Sequence, residues 1–512
     1  MKADIGARLS TGCPPGKNKL FKIDRGTGFA SFSSFFFVLL SARAEGILGV
    51  EKEAPGCARR RVMTRPRTRP VRNTALETAI GRTGHTYASI ARVINRVAEE
   101  SGAELRCTAA SLGKWLNGAT PQQETMAASC EAFSRLLDRP VTAADLGWPE
   151  TAFTVSEDPW RGDPVVWITH LGRDDMLNRR TALTAGLYSL AAAALPGHPR
   201  DAHARTAGAR RGGNSDIDRI RQTTRAFSDL DDLYGGGHAR TVVAAYLTAD
   251  VAPLLRGTTG TARPGLFVAA AELSYLAGWM AADTLRTGLA QRYYIQAVRL
   301  ADEAGDQVMR ATALRSLAVQ AVELGHNRQA RDLADAAAAG VKNGSPARTR
   351  AWITGMCAET LAAADQDRHR AHALLRTAET ELEHADSRPQ CEWVGNYRRE
   401  SFAHQVGLTL TQLGDLSGAE THYADSVRTR RPVERRARVL IGARLAHVQL
   451  RQRRPDDAAR TVLDISDDLA GVSSQRARRT LTQIRSGWAP HRSDPLIGKA
   501  DRILAGATSP AV

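Results

Sequence analysis

The chain has 512 residues, 43% hydrophobic and 24% charged, with a formal net charge of +16. That length exceeds one ordinary core and implies about two to four domains, while the apolar and charged fractions are those of a soluble globular protein. Six cysteines with no CxxC pair and no histidine at zinc-ligand spacing exclude a zinc finger and a disulfide framework, and the positive charge favours nucleic acid as a partner.

Residues 1–62 differ from the rest. They hold Phe21, Phe29, Phe32, Phe35, Phe36 and Phe37 and five of the chain's lysines, whereas the remainder uses arginine almost throughout. The run Phe29 to Leu40 is as long as a secretory signal core and too short to span a bilayer. Basic residues before it and Ala42-Arg43-Ala44 after it fit a signal peptide. The preferred reading is a start assigned too far upstream, with Met63 the true first residue, because the next segment has no use outside a cell. From Met63, Arg65, Arg67, Arg69 and Arg72 alternate with Pro66 and Pro70. Proline keeps such a segment extended, suited to lying along phosphates or to remaining a solvated tail.

Ala75 opens a helical period. Leu76, Ala79 and Ile80 form one apolar face, ended by Gly84. Thr86 caps a second helix with Ile90, Ala91, Ile94, Val97 and Ala98 as its stripe. Thr108 caps a third, whose Leu112, Trp115 and Leu116 point inward. Asn117-Gly118 stops it, since both tolerate a left-handed cap. Thr120-Pro121-x-Gln123 opens a fourth helix that carries Met126, Ala127, Cys130, Phe133, Leu136 and Leu137, and Trp148 closes the unit. The remaining face of the third helix is Thr108, Ala109, Ala110, Ser111, Gly113 and Lys114. It is small and polar with one long cation, suited to close approach to base edges.

Residues 73–148 thereby resemble a bacterial helix-turn-helix repressor of the phage-repressor-like (Xre) type. The resemblance rests on Ile90-Ala91 in the second helix, then Trp115, Asn117-Gly118 and Pro121. The stretch "RLLDRPVTAADLGW" is similar to regulators of this type in actinobacteria. The resemblance implies Tyr87, Arg92 and Thr108 near phosphate, Ala109, Ala110 and Lys114 near bases, and Ser111 on the same face. One departure is the second helix, which runs on through "NRVAEESGAELR" where the plain family has a tight turn.

Residues 151–216 read as a connector with one helix and a flexible basic loop; Arg179-Arg180 before an apolar run imitates an export signal by coincidence. From Ile217 to about residue 508 helices follow in pairs. Turns near Gly288, Gly325, Asp365, Gly414 and Arg453 lie 37, 40, 49 and 39 residues apart. An alanine follows five residues later at Ala330, Ala419 and Ala458, and six later at Ala371. The array resembles degenerate tetratricopeptide repeats, which implies a stacked solenoid with a concave face. Tyr293, Tyr294, Asn396, Tyr397 and Arg398 are candidates for that face, although repeat packing or water explains each more readily.

No phosphate-cradling glycine loop, HExxH, GxSxG or paired Cys-His set stands in a credible context. The expectation is therefore not an enzyme, with no cofactor and no metal. The sequence predicts an all-α protein: a small helix-turn-helix domain (63–150 with the arm), then a helical-repeat solenoid (217–508). Functionally it predicts a cytoplasmic, sequence-specific transcriptional regulator on double-stranded DNA, a homodimer with no membrane partner. The solenoid is expected to sense a peptide, small molecule or protein in its groove, or to dimerise. The alternative is a non-DNA-binding helical-repeat scaffold for protein–protein interaction.

Overall fold

The computed structural model describes residues 72–100, 105–137, 141–148, 162–177, 213–341, 345–385 and 397–508, with Arg139 and Trp160. The expectations for residues 1–62, for Arg65, Arg67 and Arg69, for Arg179-Arg180 and for Asn396 lie outside the described residues. The described chain is all-α, a small helical domain followed by a helical-repeat solenoid.

The small domain packs α1 (Thr74–Thr83), α2 (Tyr87–Glu100), α3 (Ala109–Leu116) and α4 (Gln123–Leu137) around one core. Its apolar stripes are those of the sequence: Leu76, Ile90, Ile94, Val97 and Leu112 are fully buried. Gly84 takes the left-handed conformation that ends α1. Two details differ from expectation. Asn117 keeps φ at −86°, and only Gly118, at +89°, is left-handed. Helix α4 starts two residues late, because the carbonyl of Gln122 accepts from Met126 N–H at 2.8 Å and leaves Pro121 buried ahead of the helix.

In the solenoid, a first and a second helix alternate. The pairs are α9/α10 (Ala262–Asp283, Thr287–Ala304), α11/α12 (Gln307–Glu323, Asn327–Ala339) and α13/α14 (Ala347–Asp365, Arg368–Glu383). They continue with α15/α16 (Arg399–Gln412, Leu416–Thr429) and α17/α18 (Arg435–Arg451, Pro455–Asp464). After the short α19 (Ser466–Leu469), α20/α21 (Gln475–Gly487, Pro495–Thr508) ends the array. The expected turns at Gly288 and Asp365 are each displaced. Gly288 lies inside α10 and Asp365 ends α13. The left-handed residues that join helix to helix within the first five pairs are Leu285, Gly325, Gln366, Gly414 and Arg453. Five residues after each stands a fully buried alanine, at Ala290, Ala330, Ala371, Ala419 and Ala458. The irregular spacing read from sequence thus becomes one rule: a left-handed turn, a cap, and a small residue where the second helix crosses the first.

The segment read as a connector contributes to the solenoid. Its described helix α5 (Pro164–Leu177) buries Val165, Ile168 and Leu171 in the same core as the first pairs. It is followed by α6 (Asn214–Tyr234) and α7 (Arg240–Tyr246), which runs through a π-turn at Leu247–Val251 into α8 (Ala252–Gly257). Asp175 of α5, fully buried, pairs with Arg240 and accepts from the Tyr293 hydroxyl at 3.1 Å. Among the described residues α9 is the one helix long and apolar enough to cross a membrane, and most of it is buried within the fold.

The solenoid curls until its ends meet. Arg436 of α17 reaches back to Asp231 and Asp232 of α6, at 3.1 and 3.2 Å. The Ser474 hydroxyl, at the start of α20, donates to Asp283 of α9 at 2.7 Å, and Ser473 N–H donates to the Tyr234 carbonyl, also at 2.7 Å. Six helix pairs and α6 therefore close around a common centre.

Candidate nucleic-acid interface

Helix α3 is held from three sides. Leu112, Trp115 and Leu116 enter the core, and Trp148 meets Trp115 edge-on, with ring centroids 5.7 Å apart. Through this contact Trp115 joins α3 to the end of the domain. Ahead of the helix, the Asn95 side chain clamps the backbone of Cys107. Its amide donates to the Cys107 carbonyl at 2.9 Å, and its oxygen accepts from Cys107 N–H at 2.8 Å. Behind the helix, Asn73 N–H donates to the Leu116 carbonyl at 2.8 Å. The Asn73 side chain accepts from Leu76 N–H and donates to the Leu146 carbonyl. Asn95 thus fixes the chain just ahead of α3 to α2, and Asn73 ties the start of α1 to the end of α3 and to Leu146.

The face left over is open. Thr108, Ala109, Ala110 and Lys114 are exposed, and Ser111 and Gly113 are half-buried. Ser111 is occupied locally, since its hydroxyl accepts from Thr108 N–H at 3.2 Å and closes the first turn. A Cβ built on Gly113 would meet nothing within 4 Å. A glycine inside a helix costs about 0.5–1 kcal/mol relative to alanine, and nothing among the described residues requires one there. Tyr87 is 39% exposed, and Arg92 on α2 is exposed as well. Two further exposed cations were missed in the sequence, Arg96 and Arg106. Arg96 lies one turn beyond Arg92, and that i, i+4 spacing was the available signal. Arg72, read as part of the basic arm, pairs instead with Glu77.

The C-terminal end of α2 meets the solenoid. Glu100, the last residue of α2, is buried with Arg135 of α4 at 2.8 Å and His326 at 3.4 Å. His326 caps α12. Burial raises the Glu100 carboxyl, but its hydrogen bonds to His326 and Arg135 outweigh burial and leave it below the usual value. Burial drives His326 below its ordinary value despite Glu100. Cys107, Cys130 and Cys357 are free thiols, and burial pushes Cys130 and Cys357 up to about 12. No group of three or more metal-ligating side chains exists among the described residues.

Of the residues considered for a concave face, Tyr293 and Tyr294 are buried between helices; the Tyr294 ring covers Gly278 of α9, where a Cβ would come within 2.7 Å. Arg398 is exposed ahead of α15, and Tyr397 is buried at the centre of the ring.

A family model described as the SP15 N-terminal domain matches residues 76–149. Its limits coincide with the small helical domain, from the first core residue of α1 to the residue after Trp148. No curated protein and no solved structure matches the chain.

Proposed function

We propose that the protein is a sequence-specific transcriptional regulator that reads double-stranded DNA with α3, and that its solenoid carries the regulatory input. One observation carries the reading: α3 is anchored by three buried side chains while its outer face is small, polar and open, with an unrequired glycine at its centre and Lys114 beside it. Small residues permit close approach to base edges, Ala109 and Ala110 offer methyls to thymine, and Lys114 reaches guanine O6 and N7. Exposed Thr108, Tyr87 and Arg92 supply phosphate contacts, with exposed Arg106 two residues ahead of Thr108 as a further cation. The first-turn N–H groups of α3 also favour phosphate. Two copies on a palindromic site would set the spacing of two reading heads, and a ligand that favours one spacing would shift the bound population.

Selection from a random duplex pool at low salt tests the reading, with the wild-type protein beside Lys114→Glu. A consensus that emerges for the wild type and disappears for the variant is the expected result. Affinity for that consensus should fall steeply as salt rises, because phosphate contacts release counterions. Absence of enrichment for both proteins would turn the reading to a scaffold whose partners are proteins.

A further inference from the structure

The centre of the closed solenoid is a cavity of about 220 Å³. It is lined by α6 and by the first helix of every pair, with Tyr397, Arg430 and Glu434 from the turns before α15 and α17. Such a centre differs from the open concave groove expected from the sequence, because the ends of the array are tied by Arg436 to Asp231 and Asp232 and by Ser474 to Asp283. An engineered cavity of about 150 Å³ holds one benzene molecule, so this one suits a single ring with a short substituent.

Its charges are unevenly matched. Arg436 has Asp231 and Asp232, Arg430 has Glu434, and Arg444 and Arg476 share Glu323. Among the described residues Arg315 has no carboxylate within ion-pair distance. Its guanidinium lies over the Trp352 ring, 4.3 Å from the centroid, and donates to the neutral Gln405 side chain at 3.1 Å. The Gln405 amide in turn donates to Glu359, whose carboxyl burial pushes upward. Among the described residues three donors in this wall are buried without a partner, Arg315 Nε, Arg430 Nε and the Tyr397 hydroxyl; of the two arginines, Arg430 already has the Glu434 carboxylate. Buried donors are nearly always satisfied, and a cation in this position seeks an anion.

We propose that the central cavity binds a small aromatic carboxylic acid, with its carboxylate on Arg315 Nε and the Tyr397 hydroxyl and its ring against the aromatic wall formed by Tyr275 and Trp279. That this ligand is the effector rests on the regulatory reading above; that it binds does not.

Calorimetric titration of the full-length protein, without DNA, tests binding separately from DNA recognition. The probes are benzoate, 4-hydroxybenzoate and phenylacetate, with phenylacetamide as the uncharged counterpart of the last and a trialanine peptide as the extended alternative. At least one acid binds with one-to-one stoichiometry, and phenylacetamide binds at least tenfold more weakly than phenylacetate. Tyr397→Phe weakens the acid roughly tenfold and leaves the thermal midpoint unchanged, because the hydroxyl it removes has no partner among the described residues. Arg315→Lys keeps the charge, removes Nε and also weakens binding. Failure of all three acids, equal binding of acid and amide, tighter binding of the peptide, or no effect of Tyr397→Phe would each overturn the proposal.

Discussion

Gly113 and Gly147 are both glycines of the small domain, and they answer to different demands. Gly147 is left-handed at φ +68°, and a Cβ there would come within 2.4 Å of the Asn73 side-chain oxygen that caps α1. Gly147→Ala should therefore destabilise the small domain by ~1–3 kcal/mol, seen as a lowered thermal midpoint with Trp148 emission as the probe. Gly113 is in open space. Gly113→Ala should stabilise the same domain by ~0.5–1 kcal/mol while weakening selected DNA several-fold. A gain in stability with unchanged DNA affinity would show that nothing approaches that face closely. The buried apolar residues of this domain were legible one by one, since a helical stripe states which side chains turn inward. Asn73 and Asn95 were not: an asparagine satisfying distant backbone has no periodicity, and its partners at Leu116, Leu146 and Cys107 are set only by the folded chain.

At the level of elements, α3 is short and depends on its neighbours for stability, as an isolated helix of its length would not form in water. Leu112→Ala, at a fully buried position, should cost ~2–5 kcal/mol and abolish DNA selection together with the fold of the head. Lys114→Glu should abolish selection while leaving the melting curve unchanged, and the contrast separates anchoring from reading. The contact between α2, α4 and the cap of α12 adds a pH dependence. His326 is faced by Glu100, with Arg135 and Arg96 adding positive potential and Glu131 paired to Arg135. Because its folded-state value lies below 6.5, its contribution to stability is full above that pH and is lost as pH falls. Glu100, held below 4.5, acts in the same direction at lower pH. The thermal midpoint should fall between pH 7 and pH 5, and His326→Gln should flatten that slope. The helix pairs were legible because glycine or a polar turn followed by a small residue marks each junction. Two junctions were misplaced because Leu285 and Gln366, not glycine or aspartate, adopt the left-handed conformation. Side chains rarely do so, and only the backbone reveals it.

The whole molecule is defined by a contact between its ends. Periodicity describes what each helix does with its neighbours and is silent about how far the stack curves, so the sequence predicted an open solenoid. The charges that close the ring lie 204 and 205 residues apart, in Arg436, Asp232 and Asp231. Arg436 is buried against both acids, so Arg436→Met leaves Asp231 buried and unpaired and should cost ~3–5 kcal/mol. An open repeat array is nearly one-dimensional: it can fray from either end and melt in steps, each repeat answering to its neighbours alone. A ring has no free terminus from which to fray. Losing its last pair removes two interfaces instead of one, and the closing contact can form only after the intervening chain is in place, which slows folding. The protein should therefore unfold its solenoid in one cooperative step, and breaking both closing contacts, by Arg436→Met together with truncation before Ser473, should convert that step into a broad succession of partial ones.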